Sequence, residues 1–320
     1  RMFNAEIKRF NALKTAVRES SVDGCEILYN PLERIFPGGN RENYAWANVT
    51  GRLGIPHTAA NGKVKLISGN TIETMSDKEI KDLLGGAAFL DGQAAYILSK
   101  RGFSEMIGAE VLPASDPNFC YEGLRDPSDY PNASGQLMYN MLFFGKVGTE
   151  GGTFYQLNPL NRTEIITDFL GLDEKPVVPG MVRYENNLGG RIAIVAFDLG
   201  SNNSSSSILN YRKKEVIRQT IEWLGKEPLP VFIKNAPNIF CIFNRSKSND
   251  HAIVTIINLG SDSFNAIDLD IAPEWANSTF RMLDNNGEWH RVNAELQNCT
   301  LKVNVSFSLL QPVILKFIKK

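Results

Sequence analysis

Apolar and polar positions follow two different periods along this chain, and the change from one to the other falls near residue 228. Before it, helical spacing alternates with short apolar runs. Phe3, Ile7, Phe10, Leu13 and Val17 recur at intervals of three and four and predict an opening amphipathic helix, with Lys8, Arg9, Lys14 and Arg18 elsewhere around its axis. Asp23-Gly24 closes that segment. Cys25 to Tyr29 then reads as a strand, Asn30-Pro31 as the turn that leaves it, and Tyr44 to Leu53 as a short helix stopped by Gly54 and Pro56. Val64 to Ile67 is the next strand, followed by a helix from Ser76 to Leu84 that opens with the capping-box form Ser76-x-x-Glu79. A helix ahead of the first strand implies a chain that starts inside a larger one, with Arg1 as a cut end.

The organising stretch is Leu84 to Gly108. Ala87 to Leu90 is a short apolar run after a glycine pair, the form of a strand covered on both faces. Asp91-Gly92 breaks it, and Ala94, Ala95, Ile97 and Leu98 carry helical spacing up to Gly102. This strand, turn and helix place Asp91, Gly92 and Gln93 at the carboxyl end of a strand, where open α/β sheets collect ligands and catalytic groups. From Pro113 to Gly135 the chain reads as loop. Leu137 to Phe144, Thr153 to Leu157, Glu164 to Phe169 and Pro176 to Glu185 look like short strands. Arg191 to Phe197 is a clearer one, ending at Asp198. After the serine-rich loop Ser201 to Ser207, Tyr211 to Leu224 predicts a helix with Val216, Ile217, Thr220 and Trp223 on one side. The alternation predicts an α/β flavodoxin-like domain over residues 1–228.

Beyond Pro230 no helical period remains. Runs at Val231 to Lys234, Ile239 to Asn244, Ala252 to Asn258, Phe264 to Ile271, Thr279 to Asp284, Trp289 to Val292, Leu301 to Ser306 and Val313 to Ile318 alternate between turn residues, and residues 229–320 predict a small all-β sandwich. Asp284-Asn285-Asn286-Gly287 ahead of Trp289 is a hairpin signal, because Asn and Gly accept the positive φ of tight turns.

Composition narrows the function. The 320 residues carry 34 basic and 35 acidic side chains, a formal charge of −1, so nothing draws the chain to nucleic acid or an anionic membrane. No apolar run approaches the roughly 18 residues of a membrane-spanning helix. Cys25, Cys120, Cys241 and Cys299 are far apart without metal-ligand spacing; no metal or cofactor is expected, and the thiols read as buried and free, with Cys241 and Cys299 as cross-strand neighbours the alternative. Asn-x-Ser/Thr sequons at Asn48, Asn132, Asn161, Asn202, Asn203, Asn244, Asn277, Asn298 and Asn304 read mainly as exposed polar loops. Asn30, Asp91 and Asp198 each follow a strand and form, with His57 and Gln93, the candidate binding residues of one crevice. A neutral polyol suits that crevice better than an anion. The structural alternative is that Asp and Asn end strands because they favour turns and cap helices. Trp275 and Trp289 offer either stacking faces or core packing, whereas His251 and His290 read as surface or strand residues.

The stretch SDKEIKDLLGGAAFLDGQAAYILSKRGFSEMIGAEV, then GGRIAIVAFDL, EWLGKEPLP and the closing LLQPVILKF, resembles the region downstream of the catalytic barrel in bacterial beta-galactosidase-type glycoside hydrolases. That resemblance implies a class I glutamine-amidotransferase-like trimerisation domain followed by a β-sandwich. It also implies a carbohydrate ligand, a homo-oligomer or an upstream barrel as partners, and a periplasmic or secreted setting. No catalytic residue is carried over. A barrel takes around 250 residues, and the two carboxylates of retaining glycosidases stand about 5 Å apart on it. A thiol-dependent glutaminase would need Cys at the turn that holds Asp91-Gly92. The expectation is a non-catalytic assembly or accessory region, with a free-standing sugar-binding protein and a hydrolase with an unrecognised site as alternatives.

Overall fold

A computed structural model describes residues 2–29, 45–114, 121–131, 133, 138–139, 154–200, 213–292 and 294–320. The chain divides into two compact units, one built from residues 1–25, 50–58 and 228–320 and the other from 26–49 and 59–227.

The first unit is a β-sandwich. One sheet runs in the order Ser20–Asp23, Ile239–Ser246, His251–Asn258, Pro312–Ile318, Thr279–Leu283, Trp289–Arg291; the facing sheet runs Val231–Ile233, Phe264–Ile271, Thr300–Phe307, Ala294–Gln297. Alternation along these strands sends one side chain in two inward, so that Cys241, Phe243, Val254, Ile256, Leu269, Leu301, Leu315 and Phe317 share one core. Trp275 is fully buried there, against Phe243 and Phe317. The helix Met2–Val17 covers Ile253, Leu283 and Ile314 on the outer face of the first sheet with Ala12, Leu13, Ala16 and Val17. Of the predicted stripe, Leu13 and Val17 pack on the sheet, whereas Phe10 remains 64% exposed and Ile7 44%.

The second unit carries a mixed sheet. Val64–Ile67, Ala87–Leu90 and Arg191–Val195 run parallel, in registers that bring Ile67, Leu90 and Ile194 level. Cys25–Ile27 extends them in parallel beside Val64–Ile67. On the other side Pro176–Glu185, Glu164–Leu170, Tyr121–Leu124 and Met138–Tyr139 follow in antiparallel pairing. Ala109–Pro113 and Tyr155–Pro159 form a separate antiparallel pair. The helix Asp77–Leu84 begins with the capping box at Ser76, both reciprocal bonds being made.

These strands overturn the predicted α/β flavodoxin-like, class I amidotransferase-like domain. Strands make up 42% and helices 25% of the structure, in several sheets. A doubly wound fold needs a helix after each parallel strand, whereas the described residues between Ala109 and Glu185 hold no α-helix and their strands pair antiparallel with one another. The predicted loop from Pro113 to Gly135 contains the strand Tyr121–Leu124, and most of the predicted strand Leu137 to Phe144, with Ser201 to Ser207, lies outside the described residues.

A fully buried ion pair joins the antiparallel part to the helix Lys213–Gly225. Lys213 Nζ donates to Glu122 Oε2 at 2.5 Å, and Thr167 Oγ1 donates to the other carboxylate oxygen at 2.6 Å. Lys213 also lies over the Phe197 ring at 5.5 Å. Neither charge reaches water, so losing one strands the other. Lys213→Met is expected to destabilise the protein by about 3–5 kcal/mol, and the double variant Lys213→Met/Glu122→Leu by clearly less. Urea unfolding followed by circular dichroism measures both.

Candidate functional site

The parallel strands end level, and the residues just past them form the polar edge of the second unit. Asp91 caps the helix Gly92–Lys100: its extended backbone lets Oδ1 accept from the Ala94 amide at 2.9 Å. The Gly69 amide donates to both carboxylate oxygens at 3.1 Å, and the Leu199 amide to Oδ2 at 3.2 Å. One side chain thus binds backbone past each of three strands. Gly92 donates to the Phe197 carbonyl at 2.8 Å, and a Cβ there would lie 2.3 Å from the Ala196 carbonyl oxygen, so only glycine permits this approach. Asp198 is buried too, accepting from the Gly200 amide at 2.9 Å. Gln93 is half-buried in the first turn of the same helix.

The structure therefore brings Asp91, Gln93 and Asp198 to one edge. Asp91 has no exposed surface and Asp198 almost none, and the hydrogen bonds of Asp91 serve the backbone. Burial first, and then the neighbouring Asp198, pushes the Asp91 carboxyl well above the ordinary carboxylate range, against the amides of Ala94, Gly69 and Leu199. Asn30 lies outside the described residues. His57 belongs to the other unit. There its Nδ1 pairs with Thr50 Oγ1 at 3.0 Å and its ring meets Phe240 edge-on at 5.7 Å. Burial lowers its pKa, with the Ile55 carbonyl opposing, so the imidazole is neutral near pH 7.

No activated thiol appears among the described residues. Burial and then the Asp23 charge raise Cys25 to about 12, which keeps it protonated. Cys241 is buried, Cys299 is half-buried in a turn, and none of the three is in a disulfide; Cys120 lies outside the described residues. Trp275 is closed inside the sandwich, and Trp289 packs half-buried beside the helix Met2–Val17.

One cluster escaped the sequence reading. Asp284, Glu288 and His290 present ligand atoms within 4.8 Å of one another across the hairpin between Thr279–Leu283 and Trp289–Arg291. Its signal was the spacing Asp-x-x-x-Glu-x-His, because residues 288 and 290 share a face of the strand and residue 284 stands across from 288. Such donors suit a divalent ion. Here the hairpin itself uses them: Asp284 Oδ1 accepts from the amides of Asn286 and Glu288, and Oδ2 pairs with His290 Nε2 at 2.9 Å.

The buried Asp91 gives a pH dependence with a definite sign. Between the unfolded carboxyl's ordinary value, about 4, and the raised folded value, the folded state holds the proton and the unfolded state has lost it. Stability from this group is therefore greatest at low pH and declines as pH rises to the folded pKa. Asp91→Asn removes that slope, so the stability of wild type relative to the variant is expected to fall with rising pH. Asp91→Ala leaves the amides of Gly69, Ala94 and Leu199 without their acceptor and is expected to cost about 1–3 kcal/mol. Urea midpoints across a pH series measure both, and a wild-type-to-Asn difference that grows with pH would reverse the assignment.

Comparison with known proteins gives no match to any family model and none to the curated proteins. Among solved structures, the chain is similar to α-L-fucosidase isoenzyme 2 from Paenibacillus thiaminolyticus. The TM-score is 0.61 at 10% identity, over 97% of this chain and 51% of that one. A rhamnosidase from Novosphingobium sp. PP1Y aligns over 43% of this chain and 11% of that one at 11% identity, with a TM-score of 0.27 that carries no argument. The chain spans about half the length of the fucosidase structure, and at this identity what the two share is the fold.

Proposed function

We propose that this chain is a non-catalytic assembly or accessory region of, or a relative of, a carbohydrate-active glycoside hydrolase. The observation that carries the reading is the match over nearly the whole chain to about half of an α-L-fucosidase structure. The polar edge supports it from the side of chemistry. Asp91 and Asp198 are buried, and Asp91 is engaged by backbone amides, so neither is presented as the exposed acid or nucleophile that glycoside hydrolysis requires. The sequence resemblance to the region after the barrel of beta-galactosidase-type enzymes adds an assembly role, in which the chemistry lies on an upstream barrel and this region supports it or joins protomers.

The chain alone is expected to show no turnover on a panel of aryl-galactosides, aryl-fucosides and other aryl-glycosides. Turnover that survives purification and disappears in Asp91→Asn or Asp198→Asn would replace this reading with a hydrolase. Light scattering coupled to gel filtration reads the assembly role: a defined oligomer is expected, and a monomer at all concentrations would leave the accessory role without the assembly one.

A further inference from the structure

The sandwich unit holds a cavity of about 590 Å³ that the reading above does not use. It lies between the helix Met2–Val17, the end of the strand Thr279–Leu283 and the turn that precedes Pro312–Ile318. Its size falls within the roughly 300–1,000 Å³ of small-molecule sites. Glu6, Arg9, Asp284 and Gln311 supply its polar lining, and Met282 and Leu310 apolar surface.

Three observations set this cavity apart from a packing gap. Arg9 is anchored by one hydrogen bond, from Nη2 to the Pro312 carbonyl at 2.5 Å. Among the described residues no carboxylate pairs with it, and its Nε is buried without a partner. A guanidinium carries five donors, so this one is held in place with most of its capacity unspent. Next, Leu310 has a φ of 58° and is 65% exposed. A bulky residue in the left-handed region costs on the order of 1 kcal/mol; the turn is held by the Leu310 amide, which donates to the Asn258 carbonyl at 2.8 Å, while the side chain stays in solvent beside the cavity. Lastly, Asp284 is a rigid carboxylate, fixed by the amides of Asn286 and Glu288 on Oδ1 and by His290 on Oδ2, with a lone pair left for a ligand hydroxyl.

The charges decide the ligand class. One cation and two carboxylates leave the lining net negative, which disfavours an anion. Hydroxyl groups can accept from Arg9 and donate to Glu6 or Asp284, while the apolar C–H face of a sugar ring can rest on Met282 and Leu310. We propose that this cavity binds a neutral saccharide, with Arg9 as the central donor and Leu310 as the apolar wall. The assignment takes its ligand class in part from the carbohydrate-active reading and gives that reading a place on the molecule.

Isothermal titration of the whole chain with D-galactose, D-glucose and L-fucose, and with D-glucuronate and glucose 6-phosphate as anionic counterparts, tests it. At least one neutral sugar is expected to bind with a Kd on the order of 1 mM, and Arg9→Ala and Leu310→Gly are each expected to weaken it about tenfold. Arg9→Ala also removes the bond to Pro312, so its thermal midpoint is read alongside. Leu310→Gly relieves the positive φ and is expected to keep the midpoint, so that its loss of binding is not a loss of fold. No binding of any neutral sugar, binding unchanged in both variants, or binding of the anionic sugars alone would each overturn the proposal. Aryl-glycoside turnover bears on the preceding reading only. A chain that binds nothing and turns over nothing loses this inference and keeps that reading.

Discussion

The second unit depends on one carboxylate placed where three strands end together. Parallel strands in register leave their last amides and carbonyls side by side at one edge, and those groups need partners once covered. Asp91 supplies acceptors to Gly69, Ala94 and Leu199, one beyond each strand, and starts the helix Gly92–Lys100. Gly92 completes the closure by letting the backbone approach Ala196. Burial and the adjacent Asp198 work against the charge that makes Asp91 a strong acceptor, so the edge is held together under electrostatic tension.

The sandwich unit follows a different constraint. Its core is made by alternation, and a helix from the far end of the chain covers one outer face. The strand Ser20–Asp23 pairs with Ile239–Ser246, in a register that joins Ser20 to Ser246. Arg245 bonds Asp23 at 2.6 Å and Glu274 at 2.8 Å, tying that edge to the turn that carries Trp275. The cavity beside Arg9 lies between the first half of that helix, the end of the strand Thr279–Leu283 and the turn before Pro312.

These two arrangements bear on function in opposite ways. The edge that resembles a place for catalysis is filled with backbone contacts, whereas Arg9 beside the sandwich cavity keeps donors that the fold does not use. The fold is shared with part of an α-L-fucosidase structure at 10% identity, and a fold at that distance leaves function to be read from the site.

Much of this was legible in the residues themselves. The capping box at Ser76, the break at Asp91-Gly92, the hairpin at Asp284 to Gly287 and the strands after Pro230 all rest on local chemistry: side-chain periodicity, caps and turn residues that act within a few positions. Asp91 and Asp198 at strand ends could be read for the same reason. What those carboxylates do could not, because their burial is set by segments over a hundred residues apart, such as Leu199 against Asp91. The flavodoxin-like reading failed similarly: short apolar runs from Thr153 to Glu185 fit parallel or antiparallel pairing equally well until partners are chosen. The pairing of Ser20 with Ser246, the buried meeting of Lys213 with Glu122 and the cavity between Arg9 and Leu310 were decided by tertiary structure alone. Contacts between distant segments are fixed by how whole elements pack, and no local pattern encodes them.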